Sequence, residues 1–106
     1  MTKRSWTEAR AKVDAEGRCR VCGGPNPEAA HLIPRSRVRP GAGEHPDNIV
    51  PLDRECHALF DAGQLDLLPY LTPVEQAKAA ELHPGGMLGA LGRVTGVRWA
   101  PESEAA

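Results

Sequence analysis

The chain has 106 residues, of which 41% are hydrophobic and 25% are charged, and its formal net charge is −1. This length predicts one domain with a modest core, and the near-zero net charge excludes a protein that attracts nucleic acid through its overall charge. No apolar run is long enough to cross a membrane, and "MTKRSWTEAR" lacks the apolar core of a secretory signal, so a cytoplasmic protein is expected.

The first predicted element is a helix in "SWTEARAKVDAEG". Ser5 and Glu8 have the spacing of a capping box, and Gly17 is typical of a helix end. A tight turn, "CRVCGGPNP", follows the helix and carries Cys19 and Cys22. Inside a cell, a C-x-x-C motif indicates metal binding or redox chemistry before a structural disulfide.

Two short predicted strands, at 29–33 and 48–52, flank an irregular loop that holds three prolines and two glycines. A proline inside the second run favours an edge strand or a distorted one. Asp53 then has the position of a helix cap, and a helix is predicted over 54–62. Strand, loop, strand and helix together form a hairpin-like unit packed on a helix.

Thr72 and Glu75, with a proline between them, mark the start of another helix, which should stop at the Pro-Gly-Gly that follows. The remaining residues show no clear period, so their glycines predict a loop, and 101–106 predict a frayed tail. The two tryptophans, Trp6 and Trp99, are predicted to anchor the core rather than to stack on bases.

Four segments carry a resemblance to a known family: "CRVCG", "AAHLIPRSR", "DNIVPL" and "CHALFDAG". Together they resemble the HNH endonucleases, and the ending "LFD-x-G" resembles a subgroup with alanine before the first histidine. The resemblance covers residues 19–64 and implies an α+β protein. It implies a small ββα-metal core with a zinc knuckle, flanked by an N-terminal and a C-terminal helix, in a single nuclease domain over 1–100.

The resemblance also implies roles for particular residues in a metal-dependent DNA endonuclease. Phosphodiester hydrolysis needs a base, a cation and groups that position the phosphate. His31 suits the base, because an imidazole is largely neutral at working pH. His57 and Asp61 lie one helical turn apart and would hold a divalent cation such as Mg²⁺ or Mn²⁺. Asn48 would orient the loop and the base through side-chain hydrogen bonds.

A basic run, "PRSRVRP", lies between the two predicted strands. Arg35 and Arg37 in this run would contact DNA phosphates, since a guanidinium makes bidentate contacts with them. The same run also fits a solvated loop. By resemblance alone, phage packaging or processing proteins are expected partners.

The chain departs from the family pattern in two places. Many members have a metal ligand directly before the base, where this chain has Ala30, so an open metal site completed by water and DNA phosphate is expected. Many also have a second C-x-x-C, where this chain has Asp53-x-x-Cys56. A structural zinc ion on Cys19, Cys22, Cys56 and Asp53 is therefore predicted; alternatively, Asp53 only caps the helix.

Two other functions fit parts of the pattern. A non-catalytic zinc module that binds nucleic acid or a partner protein would explain the cysteines and a missing ligand at Ala30. It would not require His31, Asn48 and the His57–Asp61 pair together. A C-x-x-C redox protein would need a βαβ context that the sequence lacks.

Overall fold

The architecture is that of a small α+β protein, as the sequence predicts. The computed structural model describes residues 3–96, with side chains from residue 6 onward. The elements in chain order are α1 (Lys3–Glu16), β1 (Glu28–His31), β2 (Ile49–Leu52), α2 (Arg54–Asp61), α3 (Pro73–Leu82) and α4 (Gly86–Thr95). Trp99 and the tail at 101–106 lie outside the described residues.

The two strands form an antiparallel hairpin in which Glu28 pairs with Leu52 and His31 pairs with Ile49. All four residues of β2 are buried, because α1 and α2 both pack against the hairpin. Phe60 of α2 is fully buried in the main hydrophobic core beside residues of both strands. This packing fixes the α2 helix against β1, which is the arrangement that the ββα expectation requires.

Local sequence signals explain most of the helix ends. The Asp53 side chain accepts a hydrogen bond from the Cys56 backbone and caps α2 as predicted. Thr72 and Glu75 form the predicted capping box of α3. The Ser5 cap is wrong, since α1 already begins at Lys3; the helix does end before Gly17, whose φ of +67° is left-handed.

The predicted loop after α3 is wrong, because Gly86–Thr95 is a helix, α4. Glycine weakens a helix in isolation, but here it permits close packing. A Cβ atom added at Gly89 would collide with the His83 ring at the end of α3. Tertiary packing between α3 and α4 therefore outweighs the poor helix propensity of this segment.

Within residues 3–96, none of the helices is long and apolar enough to cross a membrane.

A buried carboxylate joins α1, the turn after it and α3. The Glu75 side chain is only 2% exposed and forms ion pairs with Lys12 at 2.7 Å and with Arg20 at 2.8 Å. It also accepts a hydrogen bond from the Thr72 backbone. Burial alone would raise the pKa of Glu75, but the hydrogen bonds from Arg20 and Lys12 outweigh it and lower the pKa to about 2.

Glu75 should therefore contribute stability that disappears in acid. The contribution is fully present above pH 4.5, the ordinary value, and is lost as the pH falls through about 2. A shift of this size corresponds to at most about 3 kcal/mol. We expect urea unfolding to show Glu75→Gln less stable than the wild type at pH 7, with the difference shrinking in acid. Equal pH dependence in the two proteins would contradict this, and Glu81→Gln, an exposed change on the same helix, is the control.

Candidate functional site

Four side chains that could hold a metal ion lie together near the start of α2. One donor atom from each lies within 4.8 Å of all the others, and the four residues are Cys19, Cys22, Asp53 and Cys56. Cys19 and Cys56 are buried, whereas Cys22 is exposed. The predicted zinc-binding residues are thus brought together, and three thiols with one carboxylate are a donor set that zinc accepts.

The turn that carries the first two cysteines is shaped by two glycines. Gly23 has a φ of +76°, and its backbone donates a hydrogen bond to the Cys19 carbonyl. A Cβ atom added at Gly24 would lie 2.9 Å from Asp53 Oδ2 and 3.3 Å from Cys22 Sγ. The backbone at Gly24 therefore lies so close to Asp53 and Cys22 that only glycine fits there without a shift of its neighbours.

Asp53 caps α2 and also contacts the cysteine cluster. Its Oδ1 atom accepts the Cys56 backbone N–H at 2.8 Å as a helix cap, and its Oδ2 atom lies 2.7 Å from Cys22 Sγ. The hydrogen bond from Cys22 lowers the pKa of the Asp53 carboxyl. Burial, followed by hydrogen bonding to Cys19, raises the pKa of the Cys56 thiol. Three thiols and one carboxyl group lie close together here, and a cation bound between them would stabilise their deprotonated forms.

His31 ends β1 and is partly buried, with 22% of its side chain exposed. Its Nε2 atom lies 3.4 Å from Glu44 Oε1. Its ring stacks on Trp6 of α1, with centroids 6.4 Å apart and an interplanar angle of 8°. Trp6 is 37% exposed, so the prediction that it anchors the core is wrong, and its ring instead stacks on His31 in an offset arrangement.

The pKa of His31 is lowered from its ordinary value. Burial is the largest cause, and the nearby charges of Arg35 and His57 act in the same direction, while Glu44 opposes them. The imidazole is therefore neutral at a pH where an exposed histidine would begin to be protonated. A neutral imidazole is the form that accepts a proton.

Asn48 is fully buried just before β2 and closes the long loop between the strands. Its Oδ1 accepts the Ile33 backbone N–H at 2.9 Å. Its Nδ2 donates to the carbonyls of Ile33 at 3.0 Å and Gly43 at 2.9 Å. One amide thus fixes the segment after His31 and the segment before Glu44 relative to each other.

His57 and Asp61 project from the same side of α2, with His57 Nε2 3.4 Å from Asp61 Oδ2. The other ring nitrogen, Nδ1, lies 2.9 Å from Glu28 Oε1. Asp61 Oδ1 accepts a hydrogen bond from Arg93 of α4 at 3.0 Å. One nitrogen and one carboxylate oxygen of this pair therefore face each other at the spacing of two ligands of one cation, and Glu28 holds the opposite side of the ring.

Ala30 is fully buried in the main hydrophobic core. Its side chain is therefore part of the core, and the open metal site completed by water and DNA phosphate stays a prediction. Alternation along β1 instead places Glu28 on the same side of the strand as Ala30, two residues earlier. From there its carboxylate reaches His57.

Five residues from different parts of the chain line one open pocket: His31, Pro34, Arg35, Asp61 and Arg93. Arg35 and Arg37 form a short 3₁₀ turn at its rim and are both exposed. The structure therefore brings the predicted base, one of the predicted metal ligands and one of the predicted phosphate contacts to the same surface. Arg93, which no sequence motif marks, donates a hydrogen bond to the Leu32 carbonyl and lies over the Phe60 ring.

The family comparison agrees with this geometry. Residues 19–66 match the family model of the HNH endonucleases. Neither the curated proteins nor the solved structures gave a significant match. The resemblance read from the sequence is therefore confirmed over β1, β2, α2 and the cysteine turn. The HNH segment contains the cysteine cluster and every residue that lines the His31 pocket except Arg93.

The HNH segment ends before α3 and α4. Arg93 comes from α4 and Trp6 from α1, so the two contacts they make with Asp61 and His31 are contributed from outside the matched region. A nucleic acid substrate and nuclease activity are what the family match supports.

Proposed function

We propose that this protein is a metal-dependent endonuclease that hydrolyses phosphodiester bonds in DNA. The observation that carries the proposal is the shared pocket, where His31, Asp61 and Arg35 meet. A proton acceptor, an anionic cation ligand and a phosphate-binding cation are the three groups that the reaction needs.

In the proposed mechanism, the imidazole of His31 accepts a proton from water as the water oxygen forms a bond to phosphorus. The bond between phosphorus and the 3′ oxygen then breaks. A divalent cation held by His57 and Asp61 would stabilise the charge on the phosphate and on the leaving oxygen. Asn48 keeps the loop in place beside the base, since it binds both Ile33 and Gly43.

Phosphate binding is assigned to Arg35 and Arg37. Both side chains are exposed on the turn that borders the pocket, and Arg35 forms an ion pair with Glu44 at 3.6 Å. An exposed guanidinium can make bidentate contacts with a phosphate. Partners from phage packaging or processing stay a prediction.

A structural zinc ion is assigned to Cys19, Cys22, Asp53 and Cys56, whose donor atoms cluster within 4.8 Å. The ion would fasten the turn at 19–24 to the start of α2. We propose that 1–100 form one nuclease domain around the core at 19–64. The non-catalytic zinc module is not favoured, because the family match and the His31 pocket both support catalysis.

Asp61→Asn tests the cation site. Removing the anionic ligand should weaken Mn²⁺ binding about 10-fold or more, as loss of supporting groups does in such sites, and should slow cleavage to match. Calorimetry with Mn²⁺, with and without a non-cleavable DNA duplex, measures the affinity, which should rise when DNA is bound. The control is Asp14→Asn, an exposed aspartate on α1 paired with Arg10. If Asp61→Asn bound Mn²⁺ and cleaved DNA as well as the wild type does, the His57–Asp61 pair would be only a surface contact and not a cation site.

A further inference from the structure

Glu44 is a buried carboxylate that the proposed mechanism does not use. Its side chain is 5% exposed, although it belongs to the loop between β1 and β2 and not to a helix or strand of the core. Burial of a carboxylate costs free energy unless the group is paired. Among the described side chains, its polar neighbours are His31 at 3.4 Å and Arg35 at 3.6 Å.

The loop is built so that this carboxylate reaches the histidine. Gly41 has a φ of +86° and begins the turn at 42–44. A Cβ atom at Gly43 would lie 3.2 Å from both Arg35 and Val38 side chains, so the loop closes tightly there. Asn48 fixes the Gly43 carbonyl from the other side at 2.9 Å. These contacts fix the backbone next to Glu44 and so position its side chain.

We propose that Glu44 is a positioning residue for the base: its carboxylate accepts the Nε2–H of His31 and thereby keeps Nδ1 as the nitrogen that takes the proton from water. The inference rests on the proposed function for its catalytic meaning. It assigns a role to a residue that neither the sequence pattern nor the family match singles out.

Three features together hold His31 in this state. Glu44 selects which nitrogen carries the hydrogen, because a carboxylate accepts and cannot donate when ionised. Trp6 of α1 stacks on the ring in an offset arrangement. Asn48 ties the loop that carries Glu44 to the segment after β1. A carboxylate that orients an imidazole and stabilises its protonated form is a recurring device in acid–base catalysis.

Glu44 also compensates for charges that act against protonation of the base. Burial, Arg35 and His57 all lower the pKa of His31, and Glu44 is the group that raises it. Asp61 and Arg93 line the same pocket and carry opposite charges. Without the carboxylate, His31 would hold the proton taken from water less well.

The test uses nitrogen NMR of the histidine side chains in the full-length protein, which reports the tautomer whether or not the protein cleaves DNA. The wild type should show the His31 hydrogen on Nε2, with the signal assigned by its loss in His31→Gln. Glu44→Ala should shift His31 toward a mixture of tautomers, and both Glu44→Ala and Glu44→Gln should lower its pKa. Glu81→Gln, a distant loss of the same charge, should change neither.

Plasmid cleavage supplies the second readout. Glu44→Gln, which keeps the side-chain shape, should lower the turnover rate at saturating DNA about 10- to 100-fold, a part of what a general base contributes. An unchanged His31 tautomer and pKa in Glu44→Ala, or wild-type turnover in both variants, would overturn the proposal. If the NMR changes appear but the wild type cuts no DNA, the proposed nuclease function is wrong, whereas the hydrogen bond between Glu44 and His31 is supported.

Discussion

Replacing His31 with alanine should lower the rate of DNA cleavage by about 10²- to 10⁴-fold, the range of general-base contributions. The fold and DNA affinity should change little, because the side chain is partly exposed at the end of β1 and the buried Glu44 carboxylate keeps its ion pair with Arg35. Supercoiled plasmid with Mg²⁺ or Mn²⁺ measures the rate, and thermal unfolding checks the fold. His83→Asn on the turn after α3 is the control. A wild-type rate in His31→Ala would remove His31 from the mechanism.

The pH profile of the wild type gives the same assignment a second test. Cleavage requires neutral His31, and burial lowers the pKa of this group. The rate should therefore fall only when the pH drops below the ordinary histidine range, and it should stay high between that range and neutrality. A midpoint at or above the ordinary histidine value would indicate a different titrating group.

Removing zinc should unfold the domain. The four donor residues join the turn at 19–24 to α2, and the core that they brace is small. Structural zinc sites commonly couple metal binding to folding in this way. Metal analysis should find about one zinc per chain, and a strong chelator should abolish the far-ultraviolet signal of the helices. A folded, zinc-free protein with three freely titrating thiols would exclude the site.

Asp53→Asn separates the two roles of that residue. Asparagine caps a helix about as well as aspartate does, so the contact of Oδ1 with the Cys56 backbone should persist. The anionic contact of Oδ2 with the cluster is lost. We expect normal stability with zinc bound but faster zinc loss to a chelator. Unchanged zinc retention would leave Asp53 as a cap only.

The sequence predicts the HNH segment well, because its signals are local or strongly spaced. The C-x-x-C turn supplies two candidate metal ligands, and the Asp53-x-x-Cys56 segment supplies two more. All four come together when α2 packs on the turn. Beyond the HNH segment, Thr72 and Glu75 likewise mark the start of α3 through hydrogen bonds between their own side chains and backbones. Each of these features depends on a few neighbouring residues.

The features that sequence reasoning missed depend on contacts across the fold. Helix α4 forms despite its glycines because it packs on α3, and it delivers Arg93 to Asp61 from 32 residues away. Glu44 has no local motif, and only the closed loop shows that it reaches His31. Ala30 reads as a missing ligand in the sequence, whereas the structure shows it as part of the core. The position of Glu28 could have been predicted from the sequence, since strand alternation places residues 28 and 30 on the same side of β1.

Cleavage of supercoiled plasmid by the purified, zinc-loaded wild type across a panel of divalent cations, beside His31→Ala and Asp61→Asn, tests the proposed nuclease activity most directly. We expect nicked or linear product with Mg²⁺ or Mn²⁺, no product when those cations are chelated, and little product from either variant. Equal cleavage by all three proteins, or no cleavage by the wild type with any cation, would contradict it.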